Sequence, residues 1–228
     1  MRLTLKTCEV RSWKRTDAES LALHANNRNI WINLRDRFPH PYTKADARAF
    51  ISAVREERPE TTFAISRNDA VVGCIGFTVN ADVERVSAEI GYWIAEPFWG
   101  RGIATEALVA VTRHAAETHG LTRVYARAFE WNAASFRVLE KAGYVLEGRL
   151  RRSAVKDGRI TDQFQGCFSG SSLAQFIMLD APADVWDAMS VTINPVHYRN
   201  LSHDEFETLS YTTISNVDFV SRAFMLYC

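Results

Sequence analysis

Apolar and polar residues alternate with a period of two in several separate stretches of this chain. One stretch runs from Leu3 to about Trp13 and predicts a single strand. Further along, TTFAISR and VVGCIGFTV flank the polar pair Asn68-Asp69, which predicts two strands joined by a hairpin turn. SAEIGYWIA and RVYARAF predict two more strands, and YVLEGRLRRSAVKDGRITDQF predicts a last pair around Asp157-Gly158.

Four other stretches repeat their apolar residues three and four positions apart, as amphipathic helices do. DAESLALHANN predicts a helix that opens at Asp17. A second follows Thr43, where Asp46 completes a relaxed capping box and Pro59 ends the helix. The third runs through ATEALVAVTRHAAETH to Gly120, and the fourth is NAASFRVLEKAG. This order predicts a mixed α/β fold of the α+β class, with a mostly antiparallel central sheet flanked by helices.

Composition and charge limit the classes of partner. Lysine plus arginine and aspartate plus glutamate both number 27, so the chain as a whole offers no attraction to nucleic acid or to an anionic membrane. No apolar stretch approaches the roughly 20 residues of a membrane-spanning helix, and the first residues lack the apolar segment of a signal peptide. The four cysteines lie far apart without metal-ligand spacing. We therefore predict a cytoplasmic protein without a metal, and a homodimer stays open.

The last part of the chain differs in composition. Residues 166–228 carry two basic and seven acidic residues and no lysine, and their periodicity fades into short apolar patches. We predict a folded domain over residues 1–165 and a C-terminal extension over residues 166–228. The extension either packs on the sheet or on a partner chain, or is poorly ordered because its sequence arose from an altered reading frame.

The stretch EPFWGRGIATEAL places Gly100 and Gly102 between a predicted strand and a predicted helix. Glycine loses more backbone freedom on folding than any other residue, so the pair indicates that the bare backbone is needed here. Unpaired amide groups and the positive end of the helix dipole make such a turn an anion site. The spacing differs from that of dinucleotide folds and P-loop nucleotidases. On these residues alone, a pyrophosphate site and an ordinary helix start stay equally open.

Three separated blocks resemble the GNAT acetyltransferases, and within that family the branch of the RimJ and RimL ribosomal-protein amino-terminal acetyltransferases. AEIGYWIAEPFWGRGIATEAL is similar to the acetyl-CoA loop of the family, with Trp99 where glutamine or arginine is usual. WNAASFRVLEKAGYVLEGRLR resembles the second block, and LRDRFPHPYT resembles the substrate-side loop of the branch. The resemblance covers about residues 8–165 and implies the GNAT fold, whereas the extension does not share it.

The resemblance implies a site for acetyl-CoA as cosubstrate. The backbone amides of residues 100–105 would hold the pyrophosphate, and the strand edge at Trp93 and Ile94 would bind the pantetheine arm as another strand would. Arg101 could add charge to a phosphate, although a solvated surface arginine is an equal alternative. The coenzyme-binding residues implied in this way are Trp93, Ile94, Trp99, Gly100, Arg101, Gly102, Ile103, Ala104, Thr105, Asn132 and Ser135.

The resemblance also implies direct attack of the amine in a ternary complex, so that no cysteine nucleophile is needed. The departing thiolate must then receive a proton. Leu139 stands where many members have a tyrosine acid, but Asn132 and Ser135 match the Asn-x-x-Ser of the RimL-like members. Ser135 is therefore the candidate acid, and the structural alternative is a first-turn residue of a helix that Asn132 caps.

The candidate base is Glu89, which lies near the glutamate position of the histone-type members of the family. The glutamate of the RimL-like members falls near Ala154, so that assignment does not carry over. Glu147 and Asp162 are fallback candidates on later strands. A structural role for Glu89 stays open as the alternative.

The acceptor side of the site is the least determined. Four aromatic residues near the substrate-side loop could enclose an amine or could simply pack in the core: Trp31, Phe38, His40 and Tyr42. The implied function is transfer of an acetyl group to a primary amine, at a protein amino terminus or in a small molecule. A catalytically weak or inactive acyl-CoA-binding module and a phosphate-binding regulator remain as alternatives.

Overall fold

A computed structural model describes residues 1–169. These residues form one sheet and five α-helices. The strands are β1 (Arg2–Thr4), β2 (Glu9–Arg11), β3 (Thr62–Arg67), β4 (Ala70–Val79), β5 (Ser87–Ile94), β6 (Arg123–Phe129), β7 (Val145–Lys156) and β8 (Arg159–Ser169). The helices are α1 (Ala18–Ala25), α2 (Arg28–Trp31), α3 (Lys44–Glu56), α4 (Ile103–His119) and α5 (Ala133–Lys141).

The eight strands lie in the order β1-β2-β3-β4-β5-β6-β8-β7. Neighbouring strands are antiparallel except β5 and β6, which are parallel and are joined through α4. A parallel pair needs such a crossover, because a tight turn can only reverse the chain. The predicted mixed fold with a mostly antiparallel sheet is confirmed.

Each face of the sheet carries its own apolar layer. On one face, Ile90 of β5 and Val124 of β6 pack with Leu108 and other buried residues of α4. On the other face, Ala64 of β3 packs with Leu21 of α1 and with residues of α3. Burial of each large aliphatic side chain stabilises the fold by about 1.5–3 kcal/mol. Side chains on the two faces of β5 therefore lie in different apolar layers, so alternate residues of β5 have different neighbours.

The prediction of one strand from Leu3 to Trp13 is wrong. The segment forms β1 and β2, which pair antiparallel around a tight turn. The turn amides of Lys6 and Thr7 donate to the carboxylate of Glu106 on α4, at 2.6 and 2.9 Å. This long-range contact fixes a turn that the local alternation does not reveal.

Local signals placed the helix ends well. Thr43 and Asp46 form the predicted capping box at the start of α3. Gly120 ends α4 in a left-handed conformation. Asp17 precedes α1 as predicted, but its carboxylate makes no cap hydrogen bond to the helix. It instead accepts from the buried Arg11 guanidinium at 2.8 and 2.9 Å.

The predicted domain boundary at residue 165 falls inside β8, which pairs with β6 as far as Ser169. The rest of the predicted extension lies outside the described residues, so the division into two parts stays a prediction. None of the helices within residues 1–169 has the length and apolar content that crossing a membrane requires.

Candidate active site

The glycine loop leads directly into the first turn of α4. Gly100 and Gly102 have φ angles of +72° and +78°. A Cβ added to either glycine would meet no atom within 4 Å. The loop thus needs glycine for its left-handed backbone, which costs other residues about 1–2 kcal/mol, and lack of space does not contribute.

The amides that follow are left unpaired. Among residues 1–169, no group accepts a hydrogen bond from the backbone N–H groups of residues 100–105. The first backbone hydrogen bond of α4 is the one that the Glu106 N–H donates to the Gly102 carbonyl oxygen, at 3.1 Å. Gly102 is the N-cap and has no side chain to satisfy these donors. Several converging N–H groups at the positive end of a 17-residue helix fit a phosphate group.

Beside this loop the two parallel strands separate. The ladder between β5 and β6 covers only Ser87–Glu89 and Arg123–Tyr125. Both strands continue beyond it, β5 to Ile94 and β6 to Phe129. The gap between them leaves an edge of β5 without a partner strand, and an extended amide-bearing arm fits such an edge.

Ladder alternation decides which residues offer that edge. The backbone N–H of Ala95 donates to the Val72 carbonyl, and the backbone N–H of Asn80 donates to the Ser87 carbonyl. In an antiparallel ladder this pattern directs the N–H and carbonyl groups of the odd-numbered β5 residues towards β4. Trp93, opposite Cys74, therefore directs its N–H and carbonyl away from the gap. The backbone groups of Ile94, Tyr92 and Ile90 face the gap, and binding of the coenzyme by Ile94 stays a prediction.

Trp99 contributes its side chain as well as its backbone. Its indole N–H donates to the carbonyl oxygen of Ile94 at 2.6 Å. The bond ties the glycine loop to the last residue of β5. The indole is otherwise half exposed, with a relative accessibility of 47%. The sequence did not predict this side-chain contact.

Arg101 extends from the middle of the loop. Its guanidinium carbon lies 5.6 Å from the ring centroid of Phe98, in a cation–π arrangement. Both the predicted phosphate contact and the solvated alternative are compatible with this position.

On the α4 face of the gap, two hydroxyl groups meet. The hydroxyl of Tyr92 lies 3.0 Å from Ser135 Oγ. Asn132 caps α5 by accepting from the Ser135 amide at 3.1 Å, which is the structural alternative considered for Asn132. Burial raises the pKa of Tyr92 to about 12, and the hydrogen bond with Ser135 offsets only part of that rise. Tyr92 therefore keeps its proton at neutral pH.

Tyr92 is the site residue that sequence reasoning missed. It belongs to the run Ala88, Ile90, Tyr92 and Ile94, and its ring packs against the apolar cluster on that face. The one available signal was a polar hydroxyl within an otherwise aliphatic face.

Glu89 lies on the opposite face of the sheet. Its carboxylate forms an ion pair with Arg35, a residue of the loop between α2 and α3. The Glu89 side chain keeps 23% of its accessible surface. The fallback carboxylates are also paired, Glu147 with Arg123 and Asp162 with Arg149. The gap thus has a carboxylate on one face and a hydroxyl pair on the other.

The aromatic residues of the predicted acceptor side mostly pack within the fold. Tyr42 is buried in the apolar layer of α1 and α3, and Phe38 packs against it with ring centroids 4.8 Å apart. The Trp31 ring lies near His40 and holds Lys156 Nζ 3.7 Å from its centroid. The core alternative therefore accounts for Phe38 and Tyr42, and Trp31 contacts an amine of the chain itself.

The three cysteines among the described residues are free thiols. Burial raises the pKa of Cys8 to about 11 and that of Cys74 to about 12. Burial likewise raises the pKa of Cys167 to about 11. A thiol with so high a pKa is a poor nucleophile at neutral pH, since the thiolate is the reactive form.

Residues 1–169 contain no cluster of three or more side chains placed to hold a metal ion.

A groove of about 470 Å³ lies along α3, away from the glycine loop, and is lined by Arg15, Arg48 and Arg55 among others. None of the residues predicted for coenzyme binding or catalysis lines it. The unpaired amides and the gap between β5 and β6 are the stronger indication, because they satisfy a specific ligand chemistry.

Comparison with known proteins settles the family. Residues 8–145 match the family model described as the acetyltransferase (GNAT) domain. The chain belongs to the GNAT acetyltransferase family. This confirms the family that the sequence predicted, and the relatives that follow agree with its RimJ/RimL-like branch.

Two curated relatives share part of the chain. The uncharacterized N-acetyltransferase YoaA of Bacillus subtilis is 36% identical over 109 residues, which are 47% of this chain and 61% of YoaA. The ribosomal-protein-serine acetyltransferase of Escherichia coli is 34% identical over 91 residues, which are 40% of this chain and 50% of that enzyme. The match thus spans about half to three fifths of these relatives.

A solved structure shares the fold over a longer span. RimL, a ribosomal-protein alpha-N-acetyltransferase in complex with coenzyme A, superposes with a TM-score of 0.67 at 20% identity. The match covers 75% of this chain and 99% of RimL. At this identity the likeness shows the GNAT fold.

Proposed function

We propose that this protein is an acetyl-CoA-dependent N-acetyltransferase that acts on a primary amine, at a peptide amino terminus or in a small molecule. One observation carries the proposal: the unpaired amides of residues 100–105 lie beside a gap between parallel strands, with a carboxylate on one face and a hydroxyl pair on the other. The names of the relatives support an acetyl donor and, for one of them, a protein acceptor.

The chain offers a matching surface for each part of the coenzyme. The amides of residues 100–105 would hold the pyrophosphate at the start of α4. The backbone groups of Ile90, Tyr92 and Ile94 would bind the pantetheine arm, with Asn132 at the start of α5 close by. The loop bond from Trp99 to Ile94 keeps these two surfaces in a fixed relation.

When bound, acetyl-CoA supplies the thioester. In the transfer a C–N bond forms to the acceptor amine, the C–S bond breaks, the nitrogen loses a proton and the sulfur gains one. We assign removal of the amine proton to Glu89, directly or through a water molecule, and delivery of the other proton to Ser135. Tyr92 holds the Ser135 hydroxyl in position through the 3.0 Å contact.

The opposite placement of these groups suits a ternary complex. The acceptor would approach from the Glu89 face, and the coenzyme would lie along β5 with its sulfur towards Ser135. Each reactant then brings its reacting atom into the gap from its own side, so that no covalent enzyme intermediate is needed. The high pKa values of the buried thiols agree with this assignment.

Calorimetric titration with acetyl-CoA, with ATP as the control ligand, tests the first part of the proposal. We expect micromolar binding of acetyl-CoA alone, about −8 kcal/mol. Release of free CoA in the presence of a panel of peptide and small-molecule amines tests the second part. Binding without release for every amine would favour the inactive acyl-CoA-binding module, and equal affinity for ATP would favour a phosphate-binding regulator.

A further inference from the structure

A small cleft opens on the Glu89 face, between the loop after α2 and residues of β5, β6 and β8. Its volume of about 40 Å³ admits a small group such as an amine but not a whole acceptor peptide. The rest of the acceptor would then lie across the rim. The lining residues are Asn33, Arg35, Glu89, Arg127, Phe129 and Gln163.

The cleft has one carboxylate and two guanidinium groups. Arg35 is paired with Glu89 and keeps 56% of its side-chain surface accessible. Its guanidinium occupies the position beside the carboxylate that an ammonium group would take. An arriving amine would displace this exposed side chain at a low cost in free energy, since surface ion pairs contribute about 0–1 kcal/mol. Displacement would leave both positive charges at the rim.

Arg127 lines the cleft and, unlike Arg123 and Arg149 on the same sheet, forms no ion pair with another described residue. Arg123 pairs with Glu147, and Arg149 pairs with Asp162. Arg127 instead donates to the Gln165 side chain at 2.9 Å and lies over the Tyr125 ring at 5.3 Å. Within residues 1–169 it has no carboxylate within ion-pair distance. Its exposed guanidinium is thus held in place by a neutral amide and a ring, without a direct ion pair to any described residue.

We propose that Arg127 selects acceptor peptides that carry an acidic residue directly after the amino-terminal residue. Arg127 lies two residues beyond Tyr125, the residue opposite Glu89, which is about 7 Å along the strand. Two extended peptide residues span a similar length, so an amine at Glu89 places the second side chain near Arg127. Guanidinium groups bind carboxylates through two parallel hydrogen bonds. This inference rests on the proposed acetyl transfer to an amine.

A matched pair of acceptors tests the inference. The peptides Ala-Glu-Ala-Ala-Tyr and Ala-Gln-Ala-Ala-Tyr differ in one charge and are otherwise alike. We expect the wild-type kcat/KM to be about fivefold higher for the glutamate peptide, the upper end for an ion pair at an exposed guanidinium. Arg127→Gln should remove this preference by lowering the value for the glutamate peptide alone. Arg67→Gln, at the exposed end of β3, is the control and should keep the preference.

The outcomes separate the two levels of the argument. Equal kcat/KM values for both peptides in the wild type, or an unchanged preference in Arg127→Gln, would overturn the role of Arg127 and leave acetyl transfer standing. Absence of transfer to these peptides and to every amine of the panel, in a protein with a cooperative thermal unfolding transition, would overturn both. Calorimetric titration of the two peptides provides a second readout that does not depend on turnover.

Discussion

The hydroxyl pair of Tyr92 and Ser135 leads to a specific kinetic prediction. Ser135→Ala removes the proposed proton donor, whereas Tyr92→Phe removes only the group that positions it. Both side chains lose a single oxygen atom, so the surrounding packing is preserved. The two substitutions therefore separate donation of a proton from orientation of the donor.

The expected sizes follow from the contact. The 3.0 Å hydrogen bond joins two neutral hydroxyls, and such a bond contributes about 0.5–1.5 kcal/mol. Loss of that amount from the transition state lowers kcat by about 2- to 12-fold in Tyr92→Phe. Loss of a general acid lowers the rate by about 10²- to 10⁴-fold in Ser135→Ala. Since Tyr92 acts through Ser135, the double variant should be no slower than Ser135→Ala.

The assay is steady-state release of CoA at saturating acetyl-CoA, with thermal unfolding as the check on folding. The pKa of Tyr92, raised by burial to about 12, predicts that Tyr92 contributes no titration to the pH profile below about pH 10. Multiplicative losses in the double variant would refute the assignment of Tyr92 as a positioning residue. Wild-type kcat in Ser135→Ala would refute the proton donor itself.

Three further predictions concern the coenzyme loop and the strand beside it. Gly102→Ala places a side chain at φ +78°, so we expect acetyl-CoA to bind about tenfold more weakly and the free energy of unfolding to fall by about 1–2 kcal/mol. Gly120→Ala, at φ +60°, is the control. It should lower the free energy of unfolding by a similar amount and leave the acetyl-CoA affinity measured by calorimetry unchanged. Gly73→Ala would bring a Cβ within 2.4 Å of a β5 carbonyl oxygen. It should lower the free energy of unfolding, measured by urea denaturation, by about 1–3 kcal/mol. In the control Gly91→Ala the added Cβ meets no atom within 4 Å, so the free energy of unfolding should hardly change. Trp99→Phe loses the 2.6 Å bond to the end of β5 and should raise the acetyl-CoA Kd about 2- to 12-fold, and an unchanged Kd would contradict the proposed link between loop and strand.

The glycine pair illustrates how much of the site could be predicted from the sequence. A left-handed turn followed by a helix start is a local property, fixed by residues within a few positions of one another. The same holds for the Thr43 capping box and for the Asn132 cap of α5. The two caps depend on hydrogen bonds between residues three positions apart, so the order of residue types suffices to predict them. The family resemblance then added the ligand that such a turn would serve.

The opposite case is the set of contacts between distant residues. Tyr92 meets Ser135 across 43 positions, and Glu89 meets Arg35 across 54. Their partners are chosen by which strand lies beside which helix or loop, and periodicity along one strand carries no information about that. The turn at Lys6 was missed for the same reason, because its amides bind a carboxylate 100 positions away.

By itself, the sequence determined most of the helices and strands and the mostly antiparallel sheet, and its motifs identified the family. It did so because helix and strand periods, caps and glycine turns are set by neighbouring residues. Anion binding by the glycine turn stays a prediction. Only the tertiary structure decided that β5 and β6 separate beyond Glu89, that Ile94 and not Trp93 faces the gap, and that Tyr92 joins the site. These features arise from the register between strands and from packing across the sheet, which require the whole fold to be in place.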